Sequence, residues 1–182
     1  REEMEKIGGV ELHMPALHPR EVWETTGRWT VEEMYKLKDR SDRELGLGWT
    51  HEEVVTHIAK SFISSWRDLP QYVFQIQNKF RDEPRAKSGL IRGREFLMKD
   101  LYSFHATKED LDSFYLVAAG AYQAIFKRIG LKAYMVEASG GAFTKEFSHE
   151  FQVLSPAGED EIYYCTQCSF ARNKEVLGDF KK

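Results

Sequence analysis

The stretch from Phe80 to Phe104, FRDEPRAKSGLIRGREFLMKDLYSF, constrains the fold more than any other part of the chain. Before it, Phe74, Ile76 and Phe80 fall on one face, while Gln75, Gln77, Lys79, Arg81 and Glu83 fall on the other. That period of two is the pattern of a half-buried strand. After a basic, glycine-bearing loop, Arg92, Arg94, Phe96, Met98, Asp100 and Tyr102 share one parity and predict a second strand. Two facing strands would offer Arg81, Glu83, Arg92 and Phe96 to a single ligand. Guanidinium groups suit phosphate oxygens, a carboxylate suits an amine donor, and a flat ring suits a base.

The rest of the chain supplies elements to cover such a hairpin. Arg1 to Lys6 reads as a helix stopped by Gly8-Gly9, and Val10 to Met14 as a strand closed by Pro15. Pro19 suits the first position of a short helix through Glu21, Val22 and Trp23, with Gly27 as its stop. Tyr35 to Lys38 and Glu44 to Leu47 predict a pair around the polar turn Asp39 to Arg43. Thr50 with Glu53 three residues on reads as a capping box for a helix that ends before Pro70. Thr107 caps a long helix through about Arg128, whose stripe from Leu111 to Ile129 reads as core. Leu131 to Val136 reads as a strand, Ser139-Gly140-Gly141 as a loop, and Glu150 to Leu154 with Glu161 to Tyr164 as a hairpin around Pro156 to Gly158. There is no repeat and no low-complexity linker, so one domain of α+β class is the simplest parsing.

With 182 residues, of which 42% are hydrophobic, the chain is long enough for one real core. Its 26 basic and 29 acidic residues give a net charge of −3, so any nucleic-acid contact has to come from a local basic patch. No apolar run approaches the ~20 residues that span a bilayer. Two cysteines argue against a disulfide scaffold and fit a reducing, cytoplasmic compartment. They form a single Cys165-Thr166-Gln167-Cys168, which reads as two free thiols or as half of a zinc knuckle completed elsewhere, since one pair cannot supply four ligands.

Phe80-Arg81-Asp82-Glu83 followed by Arg92-Gly93-Arg94-Glu95-Phe96 resembles motif 2 of the class II aminoacyl-tRNA synthetases. The longer string GLIRGREFLMKDLYSFH is similar to the bacterial-type prolyl-tRNA synthetases, and the resemblance extends from Glu2 to about Glu175. GGVELHMPALHPREVWETTGRW resembles the end of motif 1, the dimer-interface element of that family. Ser148-His149-Glu150-Phe151, followed by Gln152-Val153-Leu154 and Gly158-Glu159-Asp160, is also similar. Two departures stand out: Gly48-Trp49-Thr50 where the family usually has Gly-Pro-Thr, and Lys145-Glu146-Phe147 where it has Gly-Ser-Gly.

The resemblance implies a class II catalytic core, a mostly antiparallel sheet flanked by helices, in which residues 1–182 run from the end of motif 1 to the start of an editing insertion. Motif 3 and an anticodon-binding domain are expected outside it, with homodimers for the complete protein. It implies that Arg81 binds the α-phosphate of ATP and the proline carboxylate, and that Glu83 accepts from the adenine amino group or orients Arg81. Phe96 would stack on adenine, although packing as ordinary core is the competing reading, and Arg92 would reach a phosphate or close the adenine sandwich. Thr50 and Glu52 would embrace the proline amino group, and His149 would line the proline pocket; a lone histidine beside an apolar strand is otherwise structural. Arg85 and Lys87 would touch the acceptor end of proline tRNA. ATP is the implied co-substrate, with Mg2+ bridging its phosphates and no metal held by the protein. The implied function is proline–tRNA ligation, with no activity or weak activity for this chain alone. Alternatives are a threonyl or seryl enzyme, or a catalytically silent synthetase-like module that binds proline or tRNA.

Overall fold

The structure, a computed structural model, describes residues 1–87, 89–140, 147–168 and 170–177. These form two compact units, residues 1–115 and 116–182.

The first unit is built on the expected hairpin. Strands β5 (Gln71–Phe80) and β6 (Glu95–Phe104) pair antiparallel in one unbroken register, from Gln71 opposite Phe104 to Phe80 opposite Glu95. Helix α1 (Glu2–Lys6) leads into β1 (Val10–Glu11), which adds to β5 in parallel. The strand expected over Val10 to Met14 is thus only two residues long. Beyond it Gln77 does the work of a ladder, its amide accepting from the Met14 N–H and donating to the Met14 carbonyl, both at 2.7 Å.

The hairpin is not half-exposed. Phe74 on one face and Gln75 and Lys79 on the other are all fully buried. A buried ammonium and a buried amide need partners, and one carboxylate serves both. Asp100, opposite Gln75, lies 2.5 Å from the Lys79 Nζ and accepts from the Gln75 Nε2 at 2.7 Å. The second strand begins at Glu95, later than the parity suggested, so Arg92 and Arg94 lie in the connecting loop.

Three short strands, β2 (Leu17–Pro19), β3 (Lys36–Lys38) and β4 (Glu44–Leu47), make a separate antiparallel sheet in the order β2-β4-β3. Helix α2 (Arg20–Glu24) buries Trp23 beside it. At Gly46 a Cβ would come 2.8 Å from the Met34 Sδ, so a side chain there would displace the end of Met34. Helix α3 (Glu52–Phe62) follows β4. The capping box expected from Thr50 and Glu53 does not form: His51 is the N-cap, no side chain caps the helix, and Glu53 turns instead to Thr26 and Arg28. Helix α4 (Lys108–Arg128) starts as expected, with the Thr107 hydroxyl accepting from the Asp110 N–H. Its Phe114 stacks on Tyr72 of β5 at 3.8 Å between centroids.

The second unit carries β7 (Ala133–Ser139), β8 (Phe147–Val153), β9 (Ile162–Tyr164) and β10 (Ala171–Asn173) in the order β8-β7-β10-β9. The hairpin expected between residues 150–154 and 161–164 is therefore absent, since β8 and β9 occupy opposite edges. β8 pairs along its whole length with β7, and β9 pairs with β10. The turn at Ser155 to Gly158 does form, but it only begins the connection. Pairings among the described strands are antiparallel except β1–β5 and β7–β10. This is an antiparallel-rich α+β architecture, as expected.

Candidate functional site

The loop from Gly48 to Glu52 is fastened at three points. The Gly48 N–H donates to the Ala16 carbonyl at 2.8 Å, and the Gly48 carbonyl accepts from the Phe80 N–H at 3.0 Å, one residue before Arg81. The third point is His51, fully buried, whose Nε2 lies 3.1 Å from the Pro15 carbonyl. His18 Nε2 reaches the same oxygen at 2.8 Å, and the two imidazoles meet edge to face with centroids 4.7 Å apart. A carbonyl acceptor fixes the proton on each Nε2. Burial, with Lys79 and His18 nearby, pushes the His51 pKa down to about 4, so the ring is neutral. Gly48 leaves room for this ring, because a Cβ would come 2.9 Å from the His51 Cε1.

This scaffold presents Thr50 and Glu52 together, the Thr50 hydroxyl donating to the Glu52 carboxylate. Arg28 stands behind them, 4.0 Å from Glu52 and hydrogen-bonded to the buried Glu53 at 2.9 Å. A cleft of about 400 Å³ opens beside these groups, lined among others by Glu52, Glu53, Thr56 and Lys60.

Arg81 follows the last residue of β5, its N–H donating to the Arg94 carbonyl at 2.9 Å. Its guanidinium carbon lies 5.1 Å from the centroid of the Trp49 ring and 5.4 Å from that of Phe96. Burial lowers the Arg81 pKa, and the carboxylates of Glu52, Asp100, Glu33 and Glu83 act against that, in this order. Behind Arg81 on the same face, burial first, then the charges of Asp100 and Glu52, push the Tyr102 phenol far above its ordinary value. The structure thus brings Thr50, Glu52, Arg81 and Phe96 together.

Glu83 and Arg92 meet in the loop rather than on the strands, with Arg92 Nη1 3.3 Å from Glu83 Oε2. The Arg85 N–H donates to Glu83 at 2.9 Å and, with Arg92, holds its carboxyl below the usual range. Lys87 pairs across the loop with Arg92, and both Arg85 and Lys87 are exposed. His149 lies in the second unit, exposed on β8 opposite Glu137. Lys145 and Glu146, part of the departure noted above, and Gly141 of the expected loop lie outside the described residues. Cys165 and Cys168 are unbridged, and the Gln167 N–H pulls the Cys165 thiol down.

Sequence reasoning missed Trp49, Asp100, Tyr102 and Lys79 as members of this site. Asp100 and Tyr102 shared the parity of Phe96, and Lys79 that of Arg81; that was the available signal. Chemically, the site offers one cation held on two ring faces beside a carboxylate and a hydroxyl. Such a pair can bind a zwitterion or hold an amine near a phosphate.

Residues 35–180 match the model of the tRNA synthetase class II core domain (G, H, P, S and T). The proline–tRNA ligase of Thermodesulfovibrio yellowstonii is 52% identical over 178 residues, covering 97% of this chain and 31% of that protein. That of Dehalococcoides mccartyi is 50% identical over 177 residues, covering 96% of this chain and 31% of that protein. The chain thus spans 31% of the length of these relatives. Giardia lamblia prolyl-tRNA synthetase in complex with prolyl-adenylate superposes with a TM-score of 0.71 at 22% identity, covering 76% of this chain and 30% of that one. The Cryptosporidium parvum enzyme complexed with L-proline and AMP gives 0.68 at 19%, covering 78% and 28%. At such identities the superpositions speak for the fold alone. The hairpin with its arginine, and the match over residues 35–180, place the chain in the class II tRNA synthetase core-domain family.

Proposed function

We propose that this chain is the amino-acid-activating part of a proline–tRNA ligase, acting in the cytoplasm within a homodimeric protein. The observation that carries the reading is the seating of Arg81, gripped by Phe96 and Trp49 and facing the field of Glu52. The relatives at 50–52% identity, all named proline–tRNA ligase, support proline as the amino acid.

In the reaction the proline carboxylate attacks the α-phosphorus of ATP, an O–P bond forms, and the bond to pyrophosphate breaks. The nucleophile and the phosphate are both anions, so they must be held in line against their repulsion. Arg81 is placed to bridge them and to stabilise charge on the phosphorus oxygens. Thr50 and Glu52 hold the proline ammonium. Phe96 offers a ring face to adenine, and Glu83, steered by Arg92, accepts from its amino group. A hydroxyl of the terminal tRNA ribose then attacks the prolyl carbonyl and AMP leaves, while Arg85 and Lys87 meet acceptor-stem phosphates. No acid–base residue is needed beyond positioning. Among the described residues no cluster of three or more His, Cys, Asp or Glu could hold a metal. Mg2+ would enter as part of the nucleotide substrate, carried on its phosphates.

The test is proline-dependent exchange of pyrophosphate into ATP by the full-length protein. Arg81→Ala is expected to lower the rate by a factor of about 10²–10³, the usual loss for a preorganised charge donor. Near-normal exchange in that variant would sink the role of Arg81. Calorimetry of this chain with non-hydrolysable prolyl-, alanyl-, threonyl- and seryl-adenylate analogues tests the amino acid, and tighter binding of another analogue would overturn proline.

A further inference from the structure

Arg81 is held in an unusual way. A carboxylate fixes an arginine by taking up its N–H groups in the guanidinium plane. Here the guanidinium lies against ring faces, Trp49 at 5.1 Å and Phe96 at 5.4 Å. Its Nε is buried and has no hydrogen-bond partner among the described residues. The two rings come from different places. Phe96 is the second residue of β6, opposite Lys79, so the hairpin register fixes it. Trp49 sits in the fastened loop, between Gly48, bonded to Ala16 and Phe80, and Thr50, bonded to Glu52.

The consequence follows from the shape of the guanidinium. Its five N–H donors lie in its plane, whereas a π-face attracts it from above or below that plane. A ring therefore orients the cation and excludes water without consuming the donors that an anionic ligand needs. An ion pair with a carboxylate would orient it equally well but would compete with the ligand for the same N–H groups.

We propose that Trp49 is a positioning residue for anion binding by Arg81, gripping the guanidinium through its face rather than through its in-plane donors. This rests on the function proposed above only in taking that anion to be the reacting pair. The loop that holds the substrate amine thus also aims the cation for its carboxylate, so Trp49 couples the two halves of the site. Loss of the grip leaves Arg81 charged but mobile. That lowers turnover more than it weakens binding, because orientation matters most when charge develops in the transition state.

The experiment compares wild type with Trp49→Leu and Trp49→Phe in the full-length protein, each first shown by circular dichroism and thermal melting to be folded. Pyrophosphate exchange separates kcat from KM. Trp49→Leu, apolar without a π-face, is expected to lose about tenfold in kcat with KM for proline and ATP changed less than about threefold. Trp49→Phe, which keeps a π-face, is expected to recover kcat to within about threefold of wild type. In this 182-residue chain, the Arg81 Nε–H resonance in NMR reports the grip without any activity. It is expected to be ring-current shifted in wild type, to move on Trp49→Leu, and to stay near its place in Trp49→Phe. An Arg81 resonance unmoved by Trp49→Leu, or a kcat for that variant within about twofold of wild type, would overturn the proposal. A wild-type protein without proline-dependent exchange would instead sink the proposed function, and the Arg81 resonance would then decide the grip by itself.

Discussion

The buried histidine inside the Gly48 to Glu52 loop makes the stability of the first unit depend on pH in a way that can be calculated. His51 has one proton to give, and the Pro15 carbonyl takes it. A second proton would go on Nδ1, which is buried with no partner among the described residues and feels the charge of Lys79. The folded state therefore refuses that proton until about pH 4, whereas the unfolded chain accepts it near 6.5. The sign is fixed: wherever the unfolded state binds more protons, stability falls as pH falls. At pH 7.5 His51 is neutral in both states and contributes nothing. By pH 5 the two values correspond to a loss of about 2 kcal/mol, approaching about 3 kcal/mol below pH 4. His18, whose pKa is also lowered by burial, adds in the same direction. The variant His51→Gln keeps an N–H for the Pro15 carbonyl and cannot titrate. Urea unfolding from pH 7.5 to 5 is expected to show wild type losing about 2 kcal/mol more than His51→Gln. Carboxylates that titrate in the same range are common to both proteins and cancel in the comparison. Equal slopes for the two would refute the reasoning, because then the ring is either solvated or already paired when protonated.

Other perturbations follow from the same packing. Asp100→Asn removes the charge that balances the fully buried Lys79 and is expected to cost about 3–5 kcal/mol, read by thermal melting. Adding Lys79→Met to that variant removes the orphaned charge, while the amide introduced at position 100 still accepts from Gln75, so at least half of the loss is expected to return. Gly48→Ala pushes a methyl group against the His51 ring and is expected to cost about 1–3 kcal/mol, measured by urea unfolding at pH 7.5. If that variant is as stable as wild type, the loop is less tightly fastened than the bond from Gly48 to Phe80 implies.

The hairpin was legible because two signals agreed in it, alternating polarity and a turn-forming loop between matched strands. Its polar face misled, since Gln75 and Lys79 look like solvent-facing residues in a sequence. Asp100, more than twenty residues further along the chain, pairs with both of them, and local pattern carries no record of it. Thr50 and Glu53 had the spacing of a capping box, yet tertiary partners outcompete it: Arg28 and Thr26 give Glu53 two hydrogen bonds where a cap gives one. The supposed hairpin after Phe147 failed for a related reason. Neighbouring strands with a turn between them pair by default, but β7 offers β8 a seven-residue register and β10 takes β9. Trp49 was visible only as a departure from Gly-Pro-Thr, and its meaning depended on where Arg81 lands.

One consequence joins the buried groups to the site above them. Under Arg81 and Glu52 lie Lys79, Asp100, Tyr102, His51 and His18, enough titratable chemistry to disturb any ligand. Each is neutral or neutralised at pH 7. Lys79 and Asp100 cancel as a pair, burial keeps Tyr102 a phenol, and burial keeps both histidines uncharged. The floor therefore contributes dipoles but little net charge, and a ligand above it meets the charges of Arg81 and Glu52 with those of Arg28 and Glu83 near them. A cation and an anion on a neutral, poorly solvated floor match a zwitterion with its ends apart. Because Tyr102 titrates far above neutrality and His51 far below it, neither group changes that field near neutral pH. Changes in affinity between pH 6 and 9 are then expected to track the ligand's own ionisation rather than that of His51 or Tyr102.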